Sequence, residues 1–242
     1  IEDIRFGYEA RTTPVGEYEV AADVFNVYVD AYTTDDPDNY IRWRFTGTYE
    51  VLTYPELHMT KIPSYTPFKD PYPCSGYIVV EFAPGGKLEK IADCTCCTCW
   101  ARQYESKPQL SDTQLVSDGQ FNNVKVGEVP INSATFYDKY LIEVEQMSLT
   151  RQAFDYFKLI RSQKDGASSL FQPPSGEIRG NIKAVGSNEP VVGLFWASAV
   201  SKASKFITRE DVPYPVVPIT FSTTPCYDYY PNSTTDRPAL WE

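Results

Sequence analysis

The chain has 242 residues, with 22 Lys plus Arg against 32 Asp plus Glu, so its formal charge is −10. This charge argues against a nucleic-acid partner, because phosphate binding needs a clustered cationic surface. The single histidine, His58, excludes a two-histidine zinc site within one chain, and any Ser-His-Asp or Cys-His centre would have to use it.

Alternating apolar and polar residues predict two strands near the start of the chain, at 25–31 and 40–53. Trp43 and Phe45 lie on the face of the second strand that we expect to be buried. The segment 33–39 between them has the composition of a turn, so the pair predicts a hairpin. Its acids could hold calcium, but a solvated turn fits better because the spacing is not that of an EF-hand: Asp35, Asp36 and Asp38.

The segment 52–73 carries five prolines among aromatic residues and predicts a long extended loop, which is more often functional than inert. Strand patterns resume at four places: 76–82, 135–147, 176–185 and 191–200. The Pro- and Tyr-rich end of the chain, 208–242, predicts an ordered tail rather than a domain.

One helix is predicted directly after a strand. Ser148 or Thr150 can cap its N-terminus, and Gly166 can close its C-terminus. Apolar residues recur between them at steps of three or four: Leu149, Ala153, Phe157 and Ile160. Together the patterns predict a mainly β fold with one principal helix and an α+β tendency. We expect a single antiparallel β-sandwich-like domain over 1–242, with long Pro-rich loops and disulfide staples.

The six cysteines are unevenly distributed. Four form the motif C-x-C-C-x-C, and two lie far from it in sequence: Cys94, Cys96, Cys97 and Cys99, then Cys74 and Cys226. This distribution favours disulfides in an exported protein, with the connectivity left open. One alternative is a metal site on Cys94, Cys96, Cys97 and Cys99, although a single segment lacks the second hook of a structural zinc site. The other is a set of free or mixed thiols.

Aromatic residues of the loop and the tail are the candidates for partner contacts: Tyr54, Tyr65, Phe68, Tyr227, Tyr229 and Tyr230. No catalytic residue is predicted, because His58 has no nucleophile motif beside it. A pair of carboxylates of the glycosidase type needs only two acids, and no feature of the sequence selects such a pair.

Several blocks along the chain together resemble a known family. They are Tyr40-Ile-Arg-Trp43, Cys99-Trp100, Leu149-Thr-x-x-Ala153-Phe-x-x-Phe157, Ser169-Leu-Phe-x-Pro-Pro174, Gly180-Asn-Ile182, Asn188-Glu-Pro-Val-x-Gly193-x-Phe195 and Arg237-Pro-x-x-Trp241. The chain resembles Bacteroidota outer-membrane lipoproteins with a domain of unknown function, encoded beside SusC-like TonB-dependent receptors.

The resemblance implies a non-enzymatic accessory lipoprotein at the cell surface, working with a TonB-dependent barrel in nutrient capture or as a subunit of an outer-membrane complex. It implies no cofactor. An N-terminal lipid anchor and an Ig-like domain would precede Ile1. Relatives often carry Cys-x-x-Cys near the end, whereas Tyr229 stands three residues after Cys226, so Cys226 must pair elsewhere or stay free. The alternatives are a surface glycan hydrolase and a Cys-cluster metal-binding module.

Overall fold

The computed structural model describes residues 1–34, 39–61, 67–81, 86–112, 118–166, 180–186, 191–216 and 222–241. The strands are β1 (Asp3–Glu9), β2 (Thr12–Val15), β3 (Tyr18–Ala21), β4 (Val24–Tyr32), β5 (Tyr40–Leu52), β6 (Met59–Thr60), β7 (Phe68–Lys69), β8 (Tyr77–Glu81), β9 (Lys87–Lys90), β10 (Thr98–Tyr104), β11 (Gln109–Asp112), β12 (Gln120–Pro130), β13 (Lys139–Leu149), β14 (Val200–Thr208) and β15 (Ser233–Thr234). The helices are α1 (Arg151–Gly166) and α2 (Cys226–Tyr229), with 3-10 turns at Pro55–Leu57, Pro73–Ser75 and Arg209–Asp211.

Two larger sheets and three hairpins organise these strands. One sheet has the order β1-β4-β12, and the other has the order β14-β13-β5-β10-β15, with β11 also paired to β5. The hairpins are β2-β3, β6-β7 and β8-β9. The predicted fold class is confirmed: the chain is mainly β, with antiparallel sheets, one main helix and three disulfides.

The chain divides into two compact units, each of which is assembled from separate stretches of sequence. Unit 1 comprises Ile1–Thr46, Tyr104–Val129 and Ile142–Lys205; unit 2 comprises Gly47–Gln103, Pro130–Leu141 and Phe206–Glu242. Five strands contribute residues to both units: β5, β10, β12, β13 and β14.

The core of unit 1 contains β4, the first half of β5 and β12. Trp43 is fully buried, its ring meets the edge of Phe121 at 5.8 Å, and its Nε1 donates a hydrogen bond to Ser111 at 2.9 Å. Gly127 allows close approach here, because a Cβ at this position would stand 2.6 Å from the ring of Phe45. The two facing strands are therefore in direct contact, as expected of a sandwich.

The helix α1 also belongs to unit 1. The backbone N–H of Ala153 donates to the hydroxyl of Thr150 at 3.2 Å, so Thr150 is the residue that caps the helix. The buried side chains of α1 pack against Tyr40 and Leu149: Ala153, Phe154 and Phe157. Burying each of the two phenylalanines stabilises the fold by roughly 1.5–3 kcal/mol. The predicted helix and its spacing are confirmed, and the residues that follow Gly166 lie outside the described residues.

Unit 2 is built on the second half of β5 and on β10. Gly47 lies against the fully buried Tyr140, and a Cβ on Gly47 would stand 1.7 Å from the phenolic oxygen. That hydroxyl donates a hydrogen bond to Gln103 at 2.8 Å. A second cluster is formed by Trp100, Leu141 and Trp241, so the Trp near the chain end is an anchor of the core.

The predicted hairpin between 25–31 and 40–53 is wrong. The strands exist, as β4 and β5, but they belong to different sheets. The strand β4 is buried over most of its length and is flanked by β1 and β12, while the neighbours of β5 are β13, β10 and β11. Because each strand has its two edges occupied by other partners, the two cannot pair with one another. The acids Asp35, Asp36 and Asp38 lie outside the described residues.

The strand predicted at 191–200 is also wrong, and only Val200 is in a strand there. Asn181 explains the absence: its side-chain amide donates to the carbonyl of Phe195 and accepts from the N–H of Phe195, both at 2.7 Å. These bonds satisfy the groups that a neighbouring strand would use. Residues 180–185 likewise form no strand, and the rest of the predicted strand 176–185 lies outside the described residues.

The strand predicted at 135–147 begins later, at Lys139, and extends to Leu149. The residues before it form a turn, in which the side-chain oxygen of Asn132 accepts from the N–H groups of Ala134 and Thr135 at 2.9 and 3.0 Å. Such an Asx turn competes with the sheet ladder and delays the start of the strand.

Candidate functional site

Three disulfides pair all six cysteines, and all of them lie in unit 2. The pairs are Cys74–Cys96, Cys94–Cys97 and Cys99–Cys226. The prediction of a disulfide-stapled fold is confirmed, and Cys226 pairs with a member of the cluster. The alternative zinc site on Cys94, Cys96, Cys97 and Cys99 lacks its thiolates here, and the described part of the chain holds no group of three metal-ligating side chains.

The segment Cys94–Cys99 holds both ends of the Pro-rich loop. Beside the disulfide to Cys74, the N–H of Thr53 donates to the carbonyl of Cys97 at 2.8 Å, and the N–H of Thr95 donates to the carbonyl of Cys74 at 2.9 Å. Gly76 makes this return of the chain feasible. Its φ is +74°, and a Cβ there would stand 2.2 Å from the carbonyl oxygen of Ala92.

The same segment also ties down the tail. The N–H of Cys226 donates to the carbonyl of Cys96 at 3.0 Å, next to the disulfide from Cys226 to Cys99. The N–H of Tyr54 donates to the carbonyl of Ser222 at 2.8 Å, which joins the start of the loop directly to the tail. The loop and the tail, which are far apart in sequence, therefore meet at the cysteine cluster.

Four aromatic residues carried by these two segments define what we call the stapled surface: Tyr54, Tyr72, Tyr227 and Tyr229. Tyr227 and Tyr229 are exposed by 47% and 56%, and the Tyr227 hydroxyl lies 4.0 Å from the sulfur of Cys74. Tyr54 and Tyr72 are half-buried. Burial, followed by the nearby Tyr137 and Glu56, raises the pKa of the Tyr54 phenol. Partly or fully exposed aromatic side chains with hydroxyl groups suit a protein or glycan partner.

The other predicted contact residues have different positions. Tyr230 packs against the cluster of Val51, Cys99 and Cys226 and is mostly a core residue. Phe68 is half-buried in β7, where it pairs with Thr60. Tyr65 lies outside the described residues.

Sequence reasoning missed several exposed apolar side chains of unit 2. Among them are Leu57, Met59 and Ile91, exposed by 46%, 47% and 63%. Leu57 and Met59 flank His58, whose Nδ1 lies 3.0 Å from the carbonyl oxygen of Asp70 and whose ring lies 4.6 Å from that of Tyr72. Prolines in the loop were the only signal for an exposed position, and they do not say which side chains point outward.

Two sets of carboxylates bear on the hydrolase alternative. Burial, and then the charge of Asp138, raise the pKa of Glu50. The hydrogen bond that Glu50 accepts from Trp241, a residue of the buried cluster near the chain end, acts in the opposite direction. In unit 1, Asp112 and Asp165 line one groove, but the hydrogen bond from Lys107 lowers the pKa of Asp165. A lowered pKa is the opposite of what a general acid needs.

Comparison with protein families places the chain. A family model described as a domain of unknown function, DUF4249, matches residues 1–204. The chain therefore belongs to the DUF4249 family. No curated protein and no solved structure matches it significantly. The matched region contains five of the cysteines, whereas Cys226 lies beyond residue 204.

Proposed function

We propose that this protein is a non-enzymatic accessory lipoprotein of the bacterial outer membrane, which uses the stapled surface to bind a SusC-like TonB-dependent barrel. Its role would be nutrient capture or the assembly of an outer-membrane complex. The observation that carries the proposal is the stapled surface: disulfides fix two distant segments on one short strip of chain and hold their tyrosines at the surface.

The chemistry of this surface supports a protein partner. A segment held by disulfides loses little conformational freedom on binding, so more of the contact energy appears as affinity. Exposed tyrosines are typical anchors of protein interfaces. Disulfides form in oxidising compartments, which is consistent with a site outside the cytoplasm. Among the described helices, none has both the length and the apolar character to cross a membrane, and in this proposal the membrane attachment is an N-terminal lipid.

Membership of the DUF4249 family and the sequence blocks given above support the choice of partner class. The measurement is affinity capture of the tagged full-length protein from detergent-solubilised outer membrane of its native host, with mass spectrometry of what remains bound. We expect a TonB-dependent receptor in the eluate in near-equal amount. An eluate without any such receptor would overturn the proposal.

Two matched variants locate the contact. Tyr227→Ser with Tyr229→Ser removes exposed rings from the stapled surface, and we expect receptor capture to fall about tenfold, as for the loss of a binding hot spot. Tyr18→Ser is the control, because Tyr18 is exposed by 77% on the hairpin β2-β3 of unit 1. Equal capture by both variants would place the contact elsewhere on the molecule.

A further inference from the structure

The helix α1 is a basic element in an acidic chain. It carries four cationic residues and two acidic ones, while the whole chain has a formal charge of −10: Arg151, Lys158, Arg161 and Lys164 against Asp155 and Asp165. Three of the cations have partners: Arg151 bonds to the Tyr40 hydroxyl at 2.9 Å, Lys164 bonds to the carbonyl of Ser106, and the Nε of Arg161 lies 4.0 Å from the carboxylate of Asp165. A local excess of positive charge attracts anions, even on a protein of negative net charge.

A groove of about 390 Å³ runs between α1 and β11 in unit 1. Its lining combines apolar and charged side chains: Leu110, Asp112, Phe154, Lys158, Arg161, Ser162 and Asp165. Phe154 is only 7% exposed and belongs to the helix core, and Leu110 packs against the same cluster. A groove of this volume is large enough for a small molecule, and its apolar residues come from the packed core.

Some charged side chains of the groove form ion pairs within the described part of the chain, and at least one does not. Asp165 is held by Lys107, whose ammonium lies 2.6 Å from its carboxylate, while the Nε of Arg161 is 4.0 Å away. Lys158 is exposed and forms no ion pair with the described residues. Lys158 and Arg161 are one helical turn apart and therefore lie on the same side of α1.

The remaining charges indicate what the groove can accept. With Asp165 balanced by Lys107, Lys158 and Arg161 stand against Asp112, which leaves one net positive charge at the groove. A single anionic head fits this balance better than a polyanion does. The guanidinium of Arg161 can bond a carboxylate through two parallel N–H groups. The apolar side chains Leu110 and Phe154 would contact the body of the same ligand.

We propose that the groove between β11 and α1 binds a small organic carboxylate with an apolar body, with Lys158 and Arg161 at the carboxylate. This site lies in unit 1 and is independent of the proposed receptor contact, which uses unit 2. Either proposal can fail without the other.

The test uses three probes that separate charge from apolar contact. They are 4-phenylbutyrate, its uncharged amide and acetate, titrated into the full-length protein by calorimetry and by amide-resolved NMR. We expect 4-phenylbutyrate to bind with a dissociation constant of about 1 mM or tighter, with shifts at Leu110, Phe154 and Arg161. The amide should bind at least about tenfold more weakly, because it lacks the charge-assisted bonds. Acetate should not saturate over the same range.

Variants of the cationic pair complete the experiment. Lys158→Gln and Arg161→Gln should each weaken the binding of 4-phenylbutyrate by about tenfold. Lys183→Gln is the control, because Lys183 is an exposed lysine of unit 1 that does not line the groove. The far-ultraviolet dichroism spectrum shows whether each variant is folded. The proposal is overturned if 4-phenylbutyrate shows no saturable binding, if the amide binds equally well, or if the Lys158 and Arg161 variants keep the wild-type affinity.

Discussion

The two units hold distant parts of the chain together by different means. Unit 2 contains all six cysteines, and its disulfides close loops of up to 127 residues. Unit 1 contains no cysteine and instead has ion pairs between residues far apart in sequence: Arg5–Asp30, Arg11–Glu128, Arg42–Glu105, Arg44–Glu145, Lys107–Asp165, Lys202–Glu145 and Lys205–Asp3. Two ion pairs of unit 2, Lys87–Glu81 and Lys90–Asp93, join near neighbours in the chain and are exposed.

Because unit 2 is held by disulfides and unit 1 by ion pairs, the two units should be destabilised by different conditions. A disulfide acts mainly on the unfolded chain and is not weakened by salt or by acid. An ion pair weakens with salt and with protonation of its carboxylate. Reductant should therefore act on unit 2, and acid or salt on unit 1, with amide hydrogen exchange as the measurement that distinguishes the units.

The largest loss in the free energy of unfolding is expected from the double variant Cys99→Ala with Cys226→Ala. The disulfide spans 127 residues, and the loop-entropy relation assigns about 5 kcal/mol to a loop of this length. Both sulfurs are fully buried, so their loss also leaves a small void in the cluster with Val51. Denaturant unfolding should show the loss, and hydrogen exchange should increase first in unit 2. An increase that begins in unit 1 would contradict the comparison.

A smaller effect is expected from Arg42→Met in unit 1. Arg42 and Glu105 are paired at exposures of 15% and 12%, and the Arg42 guanidinium also lies 4.4 Å from the ring centre of Phe157. Removing one partner leaves a mostly buried carboxylate unpaired, which costs about 3 kcal/mol. The double variant with Glu105→Gln should recover part of this loss, because no uncompensated charge remains. A double variant as unstable as the single one would show that ring packing, not the ion pair, matters here.

The sequence predicted elements whose signal is local. The helix α1 was predicted with Ser148 or Thr150 as its cap, and the structure selects Thr150; spacing and capping are predictable because they depend on neighbouring residues. The strand β5 was predicted within one residue of its observed end, since thirteen residues of pattern leave little ambiguity. The predicted pairing of β4 with β5 was wrong, because the partner of a strand depends on every other strand that competes for its edges.

The segment near Asn181 shows a second kind of limit. Gly180 and Gly193 are in contact, since a Cβ on Gly180 would stand 1.5 Å from the carbonyl oxygen of Gly193. Both glycines belong to the blocks that carry the family resemblance, and their role is this close approach of two backbones. A strand pattern from 191 onward cannot reveal that a side-chain amide fourteen residues away in sequence bonds the backbone groups that a neighbouring strand would use.

The stapled surface was half predictable. The loop, the tail and the cysteines were each identified from composition, because prolines, tyrosines and clustered thiols are visible in the sequence. Their meeting at one segment was not, because connectivity decides it and six cysteines do not specify their pairs. The groove beside α1 was missed altogether, since its lining joins a short strand to a helix through tertiary packing.

A third prediction concerns Cys94→Ala with Cys97→Ala. This disulfide spans three residues, for which the loop-entropy relation gives about 2 kcal/mol, well below the value for Cys99–Cys226. Denaturant unfolding of this variant beside the Cys99 and Cys226 variant measures the ratio. Equal losses would mean that strain or local contacts, rather than loop length, set the contribution of each disulfide.

The smallest change in stability is expected from Glu9→Gln. The Arg11 guanidinium bonds both oxygens of Glu9, at 2.7 and 2.8 Å, and also bonds Glu128. This contact, followed by the amide of Asn26, lowers the pKa of Glu9 from 4.5 to about 2. The folded protein then binds fewer protons than the unfolded chain between these pH values, so the stabilisation is complete above pH 4.5 and is lost as the pH falls to about 2. Because Glu9 is 44% exposed, solvent screens the contact and the effect is small.

Hydrogen exchange in unit 1 should depend less on pH across this window in Glu9→Gln than in the wild type. Glu81→Gln, an exposed ion-pair variant of unit 2, should leave the unit 1 profile unchanged, and a Glu9→Gln profile as steep as the wild-type one would remove Glu9 from the acid response.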